Sequence, residues 1–191
     1  MNSISKRYMI KIPRNVNMYY CDIKHLIMFT NSLTQKTLML KTKIIIEEKN
    51  RIIKITREPF LSTSNNEKRK LKAVQGTQVN LLKQMLLDIS ALFCKKLNIV
   101  GVGFRVSKLK VSQLTLLHFK LGYSHHVYFK VPKNLEIFCL KANKLFIVGN
   151  SYLFVTQIAA LVRSFKIPEP YKGKGIVYAT EKINLKEGKK A

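Results

Sequence analysis

The sequence predicts an α+β protein of two similar domains related by duplication, each an antiparallel β-sheet packed with a helix. Three observations carry this expectation. The chain matches itself at an offset of 119 residues: Ile12-Pro13-Arg14-Asn15-Val16 aligns with Val131-Pro132-Lys133-Asn134-Leu135, and Leu26-Ile27-Met28-Phe29-Thr30-Asn31-Ser32 with Leu145-Phe146-Ile147-Val148-Gly149-Asn150-Ser151. Two separate stretches carry apolar residues every three or four positions, the mark of a buried helical face. Apolar residues make up 47% of the 191, enough for real cores.

Taken in chain order, each repeat copy reads as a proline-opened strand, a short polar turn and a second apolar strand, hence a β-hairpin present twice. The turn falls at Asp22 to His25 in one copy and Lys141 to Lys144 in the other. Between them, Lys43 to Glu48 and Arg51 to Arg57 form a further hairpin around Glu48-Lys49-Asn50. A polar loop, Ser62-Thr63-Ser64-Asn65-Asn66-Glu67, leads to a helix over 77–94, started near Gly76-Thr77 and buried through Val79, Leu82, Leu86, Ile89 and Phe93. Strands Leu97 to Val106 and Leu114 to Leu121 precede the second copy. The second helix starts near Ser151, turns Val155, Ile158, Ala159 and Val162 inward, and stops before Pro168. The expected division is an N-terminal domain over 1–95, a C-terminal domain over 96–179 and a basic tail over 180–191.

Charge sets the partner class. Lys+Arg number 35 against 10 Asp+Glu, a formal charge of +25, and a chain this basic repels itself unless it lies against a polyanion. The charge-free run Leu145 to Val162 is 18 residues long, but it contains Gly149, Asn150, Ser151, Thr156 and Gln157 and changes period halfway, so a membrane span is not expected. No secretory or import leader is expected from the N-terminus. The basic residues are 28 Lys and only 7 Arg. Arginine is the better phosphate fork, so this bias points to an AT-rich genome such as an organelle's.

Catalytic and metal chemistry find little to work with. The only aspartates, Asp22 and Asp88, lie in separate elements, and Glu47-Glu48 is a strand end whose neighbours face opposite ways. Gly101-Val102-Gly103 lacks the third glycine of a dinucleotide fingerprint, and Lys172-Gly173-Lys174-Gly175 lacks the spacing of a P-loop. Cys21, Cys94 and Cys139 have no metal spacing and read as buried thiols of a reducing compartment. His125 and His126 have no carboxylate or cysteine nearby, and His25 and His118 read as isolated structural residues. No enzyme, metal, cofactor or small-molecule substrate is expected.

The densest functional signal is Pro168-Glu169-Pro170-Tyr171-Lys172-Gly173-Lys174-Gly175-Ile176-Val177-Tyr178. Two prolines preset an extended backbone, and two glycines permit close approach of the main chain to another surface. Lys172 and Lys174 supply charge, and Tyr171 and Tyr178 supply flat rings. Such a loop suits a phosphate-bearing surface. The turn Gly122-Tyr123-Ser124-His125-His126 admits two readings, a solvated turn or a nucleic-acid backbone contact through Tyr123, Ser124 and His125.

Gly101-Val102-Gly103-Phe104-Arg105, Leu121-Gly122-Tyr123-Ser124-His125 and Pro168-Glu169-Pro170-Tyr171-Lys172-Gly173-Lys174-Gly175, in that order, strongly resemble the large-subunit ribosomal protein six family, bacterial type. The likeness is weak to about residue 70 and specific from Leu97 to Lys190. It implies two duplicated α+β domains and binding to large-subunit rRNA near the sarcin–ricin loop and the stalk base, beside other large-subunit proteins, in support of translation. The residues it implies for rRNA contact are Arg105, Tyr123, Ser124, His125, Arg163, Lys166, Tyr171, Lys172, Gly173, Lys174, Gly175, Lys182, Lys186, Lys189 and Lys190. His126 stands where the family usually has proline, and Ser151-Tyr152-Leu153 replaces a more polar helix start. The lysine bias adds an expected mitochondrial ribosome and an organelle-encoded gene, with plastid or bacterial cytoplasm as alternatives. A ribosome-assembly factor or nucleoid protein on the same scaffold is the competing function.

Overall fold

All strand pairings among the described residues are antiparallel, and most join neighbours in sequence. The computed structural model describes residues 5–32, 34–60, 65–111 and 114–188, with the backbone alone at 65–69. The chain divides into two compact units, Met1–Ala91 and Leu92–Ala191. The architecture is α+β, as the sequence predicts.

In the first unit a 3-10 turn at Lys6–Tyr8 precedes β1 (Met9–Lys11), β2 (Asn17–Cys21), β3 (Leu26–Thr30), β4 (Gln35–Met39), β5 (Thr42–Glu47), β6 (Ile52–Pro59) and α1 (Asn65–Ser90). The strands form two sheets, ordered β1-β6-β5 and β2-β3-β4. Their inward residues Ile10, Ile27, Phe29, Ile53 and Ile55 share a core with Val79, Leu82, Met85, Leu86 and Ile89 of α1.

That helix starts about twelve residues before the expected Gly76-Thr77, and Asn65 to Glu67, read as loop, are its first turn. Residues 62–64 of the expected loop lie outside the described ones. Its start escapes an apolar-period search because, among the described side chains before Val79, the buried ones are glutamines. Buried Gln75 donates from Nε2 to the Ile55 carbonyl at 2.6 Å, and Gln78 Oε1 accepts from Thr42 N at 3.3 Å and Thr42 Oγ1 at 2.6 Å. At the other end α1 stops at Ser90, so Phe93, expected on its stripe, belongs to the next strand instead.

The second unit contains β7 (Phe93–Val100), β8 (Arg105–Val111), β9 (Leu114–Lys120), β10 (Val127–Lys130), β11 (Leu135–Lys141), β12 (Lys144–Gly149), α2 (Tyr152–Ser164) and β13 (Gly175–Tyr178). One sheet is ordered β10-β9-β8 and the other β11-β12-β7-β13. The expected single strand Leu97 to Val106 is in fact the end of β7, a turn at 101–104 and the start of β8. Val155, Ile158, Ala159 and Val162 of α2 are buried against Leu97, Leu145, Ile147 and Ile176. Each full burial of such a Val or Ile side chain contributes about 1.5–3 kcal/mol. The charge-free run divides between β12 and α2, and no helix among the described residues is long and apolar enough to cross a membrane.

Both units contain the repeated hairpin, β2–β3 and β11–β12, but the sequence alignment of its second strand is one residue out. Inward Met18 corresponds to inward Ile137 at the offset of 119, whereas inward Ile27 and Phe29 correspond to inward Leu145 and Ile147 at 118. A register shift between Cys139 and Lys141 absorbs the difference. Because strand faces alternate, a one-residue slip would otherwise turn the whole apolar set outward.

The cysteine expectation is corrected in two of three cases. Cys21 and Cys94 are exposed, each at an outward position of its strand, and Cys139 is half-buried, with burial pushing its thiol above the ordinary range. His118 is not isolated either: its Nε2 lies 2.9 Å from His126 Nδ1.

Candidate nucleic-acid interface

The loop after α2 is closed on itself by its own backbone. Glu169 N–H donates to the Lys174 carbonyl at 3.0 Å and Gly173 N–H to the Glu169 carbonyl at 2.9 Å. The Ile176 N–H to Lys166 carbonyl bond, 2.8 Å, ties its two stems, and β13 then joins β7 with Gly175 opposite Val100. The glycines serve this closure. Gly175 has φ +151°, and a Cβ there would stand 2.6 Å from Pro168 Cα and 2.8 Å from Pro168 N. Gly173 has φ +66°, and a Cβ there would meet Leu185 at 3.4 Å. Both glycines are buried. The close approach expected toward another molecule is therefore made toward the chain itself.

The closed loop presents outward Tyr171, 54% exposed, Lys172 and one carboxylate, Glu169, both exposed, and Lys174, half-buried. The tail returns along it: Lys186 N–H donates to the Pro170 carbonyl at 2.9 Å, which places exposed Lys186 beside the loop, with exposed Lys182 at the start of the tail. Lys189 and Lys190 lie outside the described residues. Arg163, at the end of α2, anchors the start of this tail. Its Nε and guanidinium reach the two Glu181 oxygens at 3.0 and 2.6 Å, and its guanidinium carbon stands 5.7 Å from the Tyr178 ring centre. Hydrogen bonds from Arg163 hold the Glu181 carboxyl below the ordinary glutamate range, and the same bonds raise Arg163. Arg163 thus has much of its donor set committed within the chain. The acidic partner, Glu181, is a residue that sequence reasoning passed over.

The turn between β9 and β10 meets this loop. Tyr123 Oη donates to the Phe165 carbonyl at 3.0 Å, and Lys166 Nζ lies 4.1 Å from the centre of the Tyr123 ring. The His125 ring stacks with that of Tyr123, 5.4 Å away at an interplanar angle of 11°. Tyr123, Ser124 and His125 are all exposed. The turn at 101–104 is drawn in by Phe104, whose ring lies where a Cβ on Gly101 (2.6 Å) or on Gly122 (3.0 Å) would come. Arg105 follows directly, exposed and opposite Lys120. Phe104 was missed as an organiser because an apolar residue in a glycine turn carries no charge signal.

Tyr123, His125 and Lys166 therefore meet at the end of α2, and Tyr171, Lys172, Lys174 and Lys186 lie on the loop and tail that continue from it, while Gly173 and Gly175 shape that loop from within. Rings lie beside cations, and this unit carries 18 Lys+Arg against 4 Asp+Glu. Stacking rings with unpaired ammonium groups suit a phosphate backbone with accessible bases.

Comparison with known proteins gives the family. The family model described as Ribosomal protein L6 matches residues 100–179, the span that holds both loops. The large ribosomal subunit protein uL6 of Mesoplasma florum is 42% identical over 139 residues, covering 73% of this chain and 75% of that protein. The uL6 of Mycoplasma capricolum is 36% identical over 191 residues, covering 100% of this chain and 99% of its own length. That of Chlorobium phaeobacteroides is 40% identical over 129 residues, covering 68% and 70%. The chain belongs to the ribosomal protein L6 family. L6 proteins are structural and non-enzymatic, in keeping with the sparse carboxylates of this sequence. The match at full length with the Mycoplasma capricolum protein extends the relationship through the first unit as well.

Proposed function

We propose that this L6-family chain, a structural RNA-binding protein of the large ribosomal subunit, fixes large-subunit rRNA near the sarcin–ricin loop and the stalk base, beside neighbouring large-subunit proteins. The contact surface is the joined end of the second unit. Lys166, Lys172, Lys174, Lys182 and Lys186 neutralise phosphates, with Lys189 and Lys190 continuing the basic tail. Tyr123, Ser124, His125 and Tyr171 pack on sugars and bases. Arg105 contributes from the adjoining strand, and Arg163 acts mainly by setting the tail on the loop. The observation that carries this reading is the cation–ring contact of Lys166 on Tyr123, which joins the β9–β10 turn to the stem of the loop after α2, 43 residues apart in sequence, in one basic, aromatic surface.

The excess of lysine over arginine supports an AT-rich, organelle-encoded gene and a mitochondrial ribosome. The bacterial relatives support the bacterial-cytoplasm alternative. Fractionation of cells expressing the tagged chain separates the two. The same preparation tests the ribosomal role: the protein sediments with mature, translating large subunits. Confinement to precursor particles would make it an assembly factor instead.

A further inference from the structure

The outward face of the β8–β9–β10 sheet carries a second constellation that, Arg105 apart, the loop surface does not use. Strand register sets it out in three rows. Arg105 lies opposite Lys120 at the end where His126 enters β10; Ser107, His118 and Tyr128 form the middle row; Leu109, Leu116 and Lys130 form the third. In the middle row the His118 and Tyr128 rings stack at 5.0 Å and 26°, and Tyr128 is 56% exposed. His118 is held in place from both sides, by Ser107 Oγ at 3.4 Å from Nδ1 and by His126 Nδ1 at 2.9 Å from Nε2. The His118–His126 contact requires one ring to donate an N–H and the other to accept it. The flat rings are therefore pinned in orientation before any partner arrives.

Charge decides what such a face takes. No Asp or Glu occurs between Asp88 and Glu136, so nothing acidic is available on these three strands to pair with Arg105, Lys120 or Lys130. All three cations are exposed and flank the ring row on both sides. Successive rows on a strand are about 6.7 Å apart, comparable with one nucleotide step of an extended strand. The face is also continuous with the loop surface, because the turn Tyr123–His125 runs straight into His126 and β10. A protein partner would have to bring carboxylates to this sheet; an unpaired RNA segment brings phosphates and bases together.

We propose that the β8–β9–β10 face is a base-stacking platform for an unpaired RNA segment. A base extends the His118–Tyr128 stack, and Arg105, Lys120 and Lys130 take the adjoining phosphates. The proposal rests on the reading of the chain as an RNA-binding protein, but apart from Arg105, which adjoins both, it uses different residues from the loop surface.

The test uses the full chain and a ten-nucleotide unstructured oligoribonucleotide carrying 5-iodouridine, which photo-cross-links to stacked aromatic rings. The platform predicts cross-links at Tyr128 or His118. Tyr128→Ala weakens binding about tenfold, as expected for one lost stack, without changing the salt dependence, and Tyr128→Phe stays within about twofold of the parent. The double variant Lys172→Ala/Lys174→Ala lowers the salt dependence yet keeps the Tyr128 cross-link. If the parent chain fails to bind the oligomer at all, the platform and the RNA-binding reading both fall. If it binds while Tyr128→Ala leaves affinity and cross-links unchanged, the platform alone is overturned. Protein rather than RNA cross-linked to Lys120 or Lys130 in assembled subunits would overturn it too, by assigning the face to a protein partner.

Discussion

Gly175 and Gly173 show how residue identity shapes a loop from within. At Gly175 both the positive φ and the Pro168 backbone exclude a side chain, so no nearby rotamer change relieves the clash. Gly175→Ala is expected to cost about 2–5 kcal/mol from strain and overpacking together, seen as a lower thermal midpoint and a lower denaturant midpoint. Gly173→Ala meets only Leu185 at ordinary contact distance and is expected to cost about 1 kcal/mol from its φ alone. Equal midpoints for the two variants would contradict this division. The sequence made the importance of both glycines legible, because glycines between lysines in a proline-led loop are unusual. It did not show how they pack, since the spatial neighbour of Gly175 is a residue seven positions back that only the closed loop brings near. The pairing of His118 with His126 was illegible for a related reason: eight residues of separation become adjacency only through the β9–β10 register.

Among the elements, α2 and the tail that follows β13 depend on the Arg163–Glu181 pair. Glu181 is held below the ordinary glutamate value of about 4.5 chiefly by its bonds from Arg163. A carboxyl depressed in the folded chain contributes stability that is fully present above its unfolded value and is lost as pH falls through the folded one. Glu181→Gln is therefore expected to lower the midpoint at neutral pH, by about 1 kcal/mol for a partly exposed pair, and to match the parent only well below pH 4.5. A difference that persists unchanged into acid would show that the pair is not responsible. Helix boundaries tell a parallel story about legibility. Periodicity located α2 because its buried stripe is wholly apolar, and it truncated α1 because Gln75 and Gln78 occupy inward positions and satisfy Ile55 and Thr42 there. The duplicated hairpin was visible in the Pro-x-Asn repeat, but the slip in its second strand needed the strand faces to reveal it.

Across the whole molecule, charge does not distinguish the units: the first carries 17 Lys+Arg against 6 Asp+Glu and the second 18 against 4. What distinguishes them is arrangement. The second unit collects its lysines beside exposed rings at the ends of β9 and α2, whereas no loop of the first combines lysine, glycine and tyrosine as 171–175 does. Residues 92–191 are accordingly expected to retain most of the affinity of the intact chain for its rRNA fragment; tight binding by residues 1–91 would contradict that assignment. The central claim is that the closed loop meets phosphate through Lys172 and Lys174, and salt dependence tests it most directly. Each phosphate contact releases condensed counterions, so in the full chain Lys172→Ala/Lys174→Ala should reduce the magnitude of the log K against log salt slope by roughly 1–2. It should weaken binding to many RNA sequences alike, because phosphates carry no base identity, while Lys166, Lys182 and Lys186 keep binding measurable. A slope identical to that of the parent chain would mean that these lysines only solvate the loop, and the account of the interface would be wrong.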